Sequence, residues 1–117
     1  TIVIVTSNYH RLVKQGLTNN NVAGCVSLVL DATQPGTKGE KIQHSLRHFR
    51  VPPNEGVMIG DTQGDIRHGR SAGVRTIGVT WGYQSRSTLA TEAPDFIVDS
   101  PKELLQLMTQ AKRPEGP

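Results

Sequence analysis

Two aspartates four residues apart, Asp61 and Asp65, follow the apolar run Val57 to Ile59 in the stretch VMIGDTQGDI. Carboxylates just past a buried strand offer hard oxygen donors, the kind Mg²⁺ takes together with waters and substrate phosphate. At i and i+4 the two side chains face one way once helical geometry begins. Both also suit plain structural work, Asp61 as a helix cap and Asp65 as a first-turn acid favoured by the helix dipole. Lys38 opens a helix, where a cation opposes the dipole, so a phosphate or carboxylate nearby should offset the repulsion. Lys41 is the fallback candidate for the same role. Thr6, Ser7 and Asn8 follow another apolar run, where a hydroxyl and helix N-terminal amides can cap the helix, hold an anion, or do both.

Strands and helices must bring these groups together. Ile2–Val5 reads as a strand apolar on both faces, hence fully buried. A short helix is expected around Tyr9–Leu17, a loop at Thr18–Asn21, and a second buried strand at Val26–Leu30 with Cys25 at its start. Thr37 and Glu40 have capping-box spacing, so a helix should begin at Lys38, with Ile42, Leu46 and Phe49 as its apolar stripe. Pro52 and Pro53 end it. Gly56–Ile59 is a third strand, followed by a short helix carrying Ile66 and Ala72 that Gly73 can close. Arg75–Thr80 is a fourth strand, Leu89 sits on a short helix, and Phe96–Val98 is a fifth strand. Ser100, Pro101 and Glu103 start the last helix, on which Leu104, Leu105, Leu107 and Met108 lie. Alternating strands and helices predict an α/β fold, a doubly wound parallel sheet. In such a sheet ligands bind at the carboxyl ends of the strands. Thr6, Ser7, Asn8, Asp31, Lys38, Asp61, Thr62, Asp65, Thr80 and Trp81 all fall on that one rim.

Other residues read as structural. Asp31 lacks a second carboxylate two positions on and reads as a turn former. His44 and His48 belong to an exposed helix face, Trp81 packs at a strand end, and Cys25 belongs to the core. The chain of 117 residues carries a net charge of +3, but its basic residues are scattered and unaccompanied by aromatics, against nucleic-acid binding. No apolar run approaches the ~20 residues of a membrane span. A single cysteine suits a reducing, cytoplasmic setting.

The stretch VMIGDTQGDIRHGRSAGVRTIGVTWG resembles the last motif of the haloacid dehalogenase (HAD) superfamily, in its phosphoglycolate phosphatase-like branch. IVIVTSN is similar to that family's second motif and TKGEKI to its third, in the right order and over nearly the whole chain. The resemblance implies a three-layer Rossmann-like core and phosphoryl transfer. Thr6 would hydrogen-bond the transferring phosphoryl group together with Ser7 and Asn8. Lys38 would neutralise charge, Asp61 would hold Mg²⁺, and Asp65 would bind it directly or orient its ligands. It implies a Mg²⁺-dependent phosphatase acting on a small phosphorylated metabolite such as phosphoglycolate. The alternative is a non-catalytic HAD-like module that binds a phosphate or a partner.

One departure from the family pattern carries consequences. The first motif, an apolar strand ending in DxD with the nucleophilic aspartate, is absent, and no DxD occurs in these residues. The resemblance therefore implies that residues 1–111 are the C-terminal portion of a HAD core, incomplete at its central strand; residues 112–117, ending in RPEGP, read by composition as a disordered tail. The missing strand would lie between Ile2–Val5 and Val57–Ile59. The selecting cap and the missing segment are expected upstream of Thr1, on the same polypeptide or a complementing chain, and the 117 residues alone are expected to be inactive.

Overall fold

The sheet is split. A computed structural model of the chain, which describes residues 1–7, 10–21 and 23–111, pairs its five strands in two groups. Strands β1 (Val3–Val5) and β2 (Leu28–Leu30) run parallel, with Ile4 opposite Val29. Strands β3 (Val57–Gly60), β4 (Arg75–Val79) and β5 (Phe96–Val98) form a second parallel set, ordered as named. Ile59 lies opposite Ile77, and Ile77 opposite Phe96. Among the described residues five α-helices complete the α/β pattern: α1 (His10–Asn19), α2 (Lys38–Phe49), α3 (Gln63–Ser71), α4 (Arg86–Ala90) and α5 (Pro101–Ala111).

Strand β4 shows why the fold has three layers. Ile77 and Val79 point to one face, where with Val98 they meet Leu104, Leu107 and Met108 of α5. Gly78 points to the other face, under Leu89 of α4. A parallel strand buried on both faces reads as an unbroken apolar run, and RTIGV comes close to that. A second cluster joins Ile42 of α2 to Ala72 and Val74, with Val5, Leu46 and Met58 against it.

Between the two strand groups runs an apolar groove of about 640 Å³, lined by Ile4 and Val5 on one side, Val57 and Ile59 on the other, and Ile42 and Leu46 of α2. The groove lies where the resemblance implied a missing central strand. It corrects one expectation: β1 is half-buried rather than fully buried, and Ile2 is exposed. An apolar strand with neighbours on one edge alone cannot cover both faces and both edges.

The helix boundaries show which local signals dominate. Thr37 caps α2, accepting the Glu40 main-chain N–H at 3.1 Å, while the Glu40 carboxylate accepts the Thr37 N–H at 2.9 Å. The Thr37 main-chain donor is the leading cause that holds the Glu40 carboxyl below its usual 4.5. The helix stops at Arg50, which takes the left-handed conformation at φ 56° just before the prolines. At α5 the box is displaced: Ser100 Oγ accepts from Glu103 N–H, but Glu103 reaches the N–H of Asp99. Helix α1 extends through Thr18 and Asn19, beyond the expected loop boundary, and Asn21 makes the turn at φ 58°. Strand β2 is shorter than expected, because Ala23–Cys25 form a 3₁₀ turn that leaves Cys25 exposed instead of in the core. Asn8 and the 112–117 tail lie outside the described residues.

Candidate functional site

The end of β3 is built to press a carboxylate against the sheet. Gly60 ends the strand, and a Cβ there would stand 2.3 Å from the Asp65 Cβ, so only glycine lets the α3 aspartate sit so close. Thr62 caps α3 by accepting the Asp65 main-chain N–H at 3.2 Å. Asp65 is consequently buried in the first turn of the helix, where the dipole favours a negative charge.

Across the gap from α3, the first residue of α2 supplies the counter-charge. Lys38 Nζ lies 2.8 Å from Asp65 Oδ1, with the lysine partly exposed and the carboxylate nearly covered. The cation at a helix start, unfavourable on α2 alone, is thus balanced by a carboxylate from the neighbouring helix. Burial pushes the Asp65 carboxyl upward, but the Lys38 hydrogen bond and charge outweigh it, aided by the Thr62 hydroxyl and the Asp61 N–H. The net shift is below the usual 3.8. Asp61 stands four residues earlier, half-buried, with Oδ2 accepting the Tyr83 main-chain N–H at 2.9 Å. Among the described residues no ion pair reaches Asp61.

A second contact fixes how α2 meets α3. The Gly39 N–H donates to His68 Nδ1 at 3.2 Å, which takes one of the helix-start donors that lack an intrahelical partner. No sequence signal pointed to this pairing, because a main-chain donor meets a histidine 29 residues away.

Lys38 and Asp65 are thus brought together, and Asp61 adjoins them through its main-chain N–H to Asp65 while its carboxylate meets the Tyr83 N–H. Thr6 sits half-buried just after β1, its main-chain N–H donating to the Leu30 carbonyl at 3.0 Å. Ser7 is exposed beside it. The fallback lysine is elsewhere: Lys41 is buried and donates from Nζ to the Asp31 carbonyl at 2.7 Å, a structural role. Asp31 is a turn former as expected, its Oδ1 accepting from the N–H and hydroxyl of Thr33, and it is almost wholly buried. His44 and His48 are exposed on α2 as expected, with stacked rings. Trp81 does not pack at a strand end but is 46% exposed.

The donor set suits a hard cation. Asp61 and Asp65 offer carboxylate oxygens without histidine or thiolate, the preference of Mg²⁺ rather than of a softer metal. Among the described residues no group of three His, Cys, Asp or Glu side chains comes together, so two carboxylates would leave most positions to water, phosphate or other ligands.

A family model described as HAD-hydrolase-like matches residues 40–104, the segment from the start of α2 into α5. Pyrophosphatase PpaX of Anoxybacillus flavithermus is 32% identical over 113 residues, which cover 94% of this chain and 53% of that protein. PpaX of Bacillus anthracis is 30% identical over the same span. The chain spans about half the length of these curated relatives. Among solved structures, a predicted phosphoglycolate phosphatase from Haemophilus somnus superposes with a TM-score of 0.83 at 25% identity. The match covers 91% of this chain and 48% of that one. A haloacid dehalogenase-like hydrolase from Streptococcus pneumoniae shares the fold at a TM-score of 0.81 and 23% identity, covering 91% and 51%. The split parallel sheet, the Lys38–Asp65 pair at its rim and these matches together make the chain a member of the HAD-like hydrolase family, corresponding to the C-terminal part of its Rossmann-like core.

Proposed function

We propose that the chain is the C-terminal part of a Mg²⁺-dependent phosphatase acting on a small phosphorylated metabolite such as phosphoglycolate. One observation carries the reading: Lys38 and Asp65 meet at 2.8 Å from two different helices, with Asp61 four residues away at the strand end. Phosphoryl transfer needs positioned charge more than elaborate covalent chemistry. In this reading the Thr6 hydroxyl, with Ser7 and Asn8, binds the phosphoryl oxygens. Lys38 faces the same group and neutralises charge that grows on it, while Asp65 holds the ammonium in place. Asp61 and Asp65 are the residues that would hold Mg²⁺. When bound, Mg²⁺ would supply further neutralisation of the phosphoryl charge.

The nucleophilic aspartate in this reading belongs to a strand outside these residues, one that fills the groove between β1 and β3. That segment is the proposed partner, covalently continuous or complementing. The alternative, a non-catalytic module that binds phosphate or a partner, draws on the absence of DxD from the sequence. Hydrolysis of p-nitrophenyl phosphate with Mg²⁺ separates the two. The 117 residues alone should show no turnover, and the chain extended by its upstream coding sequence should turn over. Robust turnover by the 117 residues, abolished by Asp61→Ala, would refute the assignment of the nucleophile. Inactivity of the extended protein on every phosphomonoester tried would favour the binding module.

A further inference from the structure

We propose that the loop between β4 and α4, residues 80–85, is the positioning element for the Asp61 carboxylate and sets how tightly Asp61 holds a divalent cation. The proposal rests on the Mg²⁺ reading above, and it concerns residues to which that reading gives no part.

Three hydrogen bonds, two from the loop's main chain and one to its Gln84 side chain, draw the loop over the start of α3. The Tyr83 N–H donates to Asp61 Oδ2 at 2.9 Å. The Gln84 N–H donates to the Asp61 carbonyl at 3.2 Å. The Gln84 side-chain carbonyl then accepts the Gln63 N–H at 2.6 Å, closing the loop onto the other flank of Asp61. The loop is also held at its base, where the Thr80 N–H donates to the Val98 carbonyl and the Thr80 hydroxyl to Asp99. Gly82 is the tightest point: a Cβ there would lie 2.4 Å from both the Cβ and Oδ2 of Asp61, so any side chain would push the carboxylate aside. The Tyr83 side chain is 84% exposed, so the tie to Asp61 is main-chain.

The chemistry of the tie separates the two aspartates. Asp65 faces an ammonium, which neutralises it. Asp61 faces a neutral amide, which fixes the direction of one oxygen and leaves the full charge available to a cation. Among the described residues no donor reaches its other oxygen. Groups that orient a metal ligand in this way change affinity by roughly 10- to 100-fold when they are removed.

The test measures Mg²⁺ affinity by calorimetry in Gly82→Ala and Tyr83→Pro, the second of which deletes the amide donor. Both should weaken Mg²⁺ binding by about tenfold or more, while Gln106→Ala, exposed on α5, stays within about twofold. A readout without metal guards against misfolded variants or a chain that binds no Mg²⁺. By NMR, the Tyr83 amide of the unsubstituted chain should exchange with solvent at least severalfold more slowly than the same amide in Asp61→Ala. Absence of Mg²⁺ binding to the unsubstituted protein would count against the Mg²⁺ reading, and the exchange result alone would then decide the clamp. Unchanged Mg²⁺ affinity in folded Gly82→Ala, or Tyr83 exchange indifferent to Asp61→Ala, overturns the proposal.

Discussion

Asp65 is the residue at which stability and the candidate chemistry meet. Its carboxyl is held below 3.8 in the folded chain, against burial and chiefly by Lys38. A depressed carboxyl favours the ionised folded form, so its contribution is complete above the unfolded value and is lost as pH falls through the folded one. Urea unfolding should show stability from this group unchanged between pH 7 and pH 5 and a decline below about pH 4. In Lys38→Met that acid decline should shrink. The same substitution should lower stability at pH 7 by about 1–2 kcal/mol, because it leaves a covered carboxylate without its cation. The two aspartates and Lys38 were legible in the sequence because side chains carry their roles: acids past an apolar strand, a lysine where a helix begins. Gly82 and Tyr83 were not, since their part is played by a missing Cβ and an amide that every non-proline residue possesses. Lys41 was legible as a cation near the rim but not as a buried one, because nothing local shows that it reaches the Asp31 carbonyl.

At the scale of elements, the site depends on where α2 and α3 begin. The start of α2 was written in a short-range signal, Thr37 with Glu40, and the structure forms that cap; at α3 the structural reading of Asp61 as the cap is corrected, because Thr62 one residue on accepts the Asp65 N–H instead. Thr37→Ala should cost about 1 kcal/mol and loosen the turn that carries Lys38. Thermal unfolding checks the first effect, and amide exchange over residues 38–41 checks the second. Ile66 is fully buried on α3, so Ile66→Ala should cost about 2–5 kcal/mol through the cavity it leaves, measured by urea denaturation. Strands were located by their apolar runs, with edges off by one or two residues where hydrogen-bond partners, not composition, set the limit. Strand β2 begins late because the chain turns through Ala23–Cys25 first, a choice that three small or apolar residues do not announce.

For the whole molecule, the decisive feature is the groove between β1 and β3. Alternating strands and helices made the three-layer α/β architecture legible, whereas the half-burial of β1 depended on a neighbour that local pattern cannot report. Unpaired strand edges beside apolar walls leave stabilisation unrealised. Extending the chain with an upstream apolar strand should therefore raise the Tm by about 5 °C or more in calorimetry, and a polar strand of equal length should not. The central claim is that Lys38 and Asp61 serve a phosphoryl group at this rim. The most direct measurement is kcat for phosphomonoester hydrolysis in the upstream-extended protein with Lys38→Met and, separately, Asp61→Asn. The account predicts a fall of about 10²-fold or more in each, with the fold retained by circular dichroism. Rates within about threefold of the parent in both variants would contradict it.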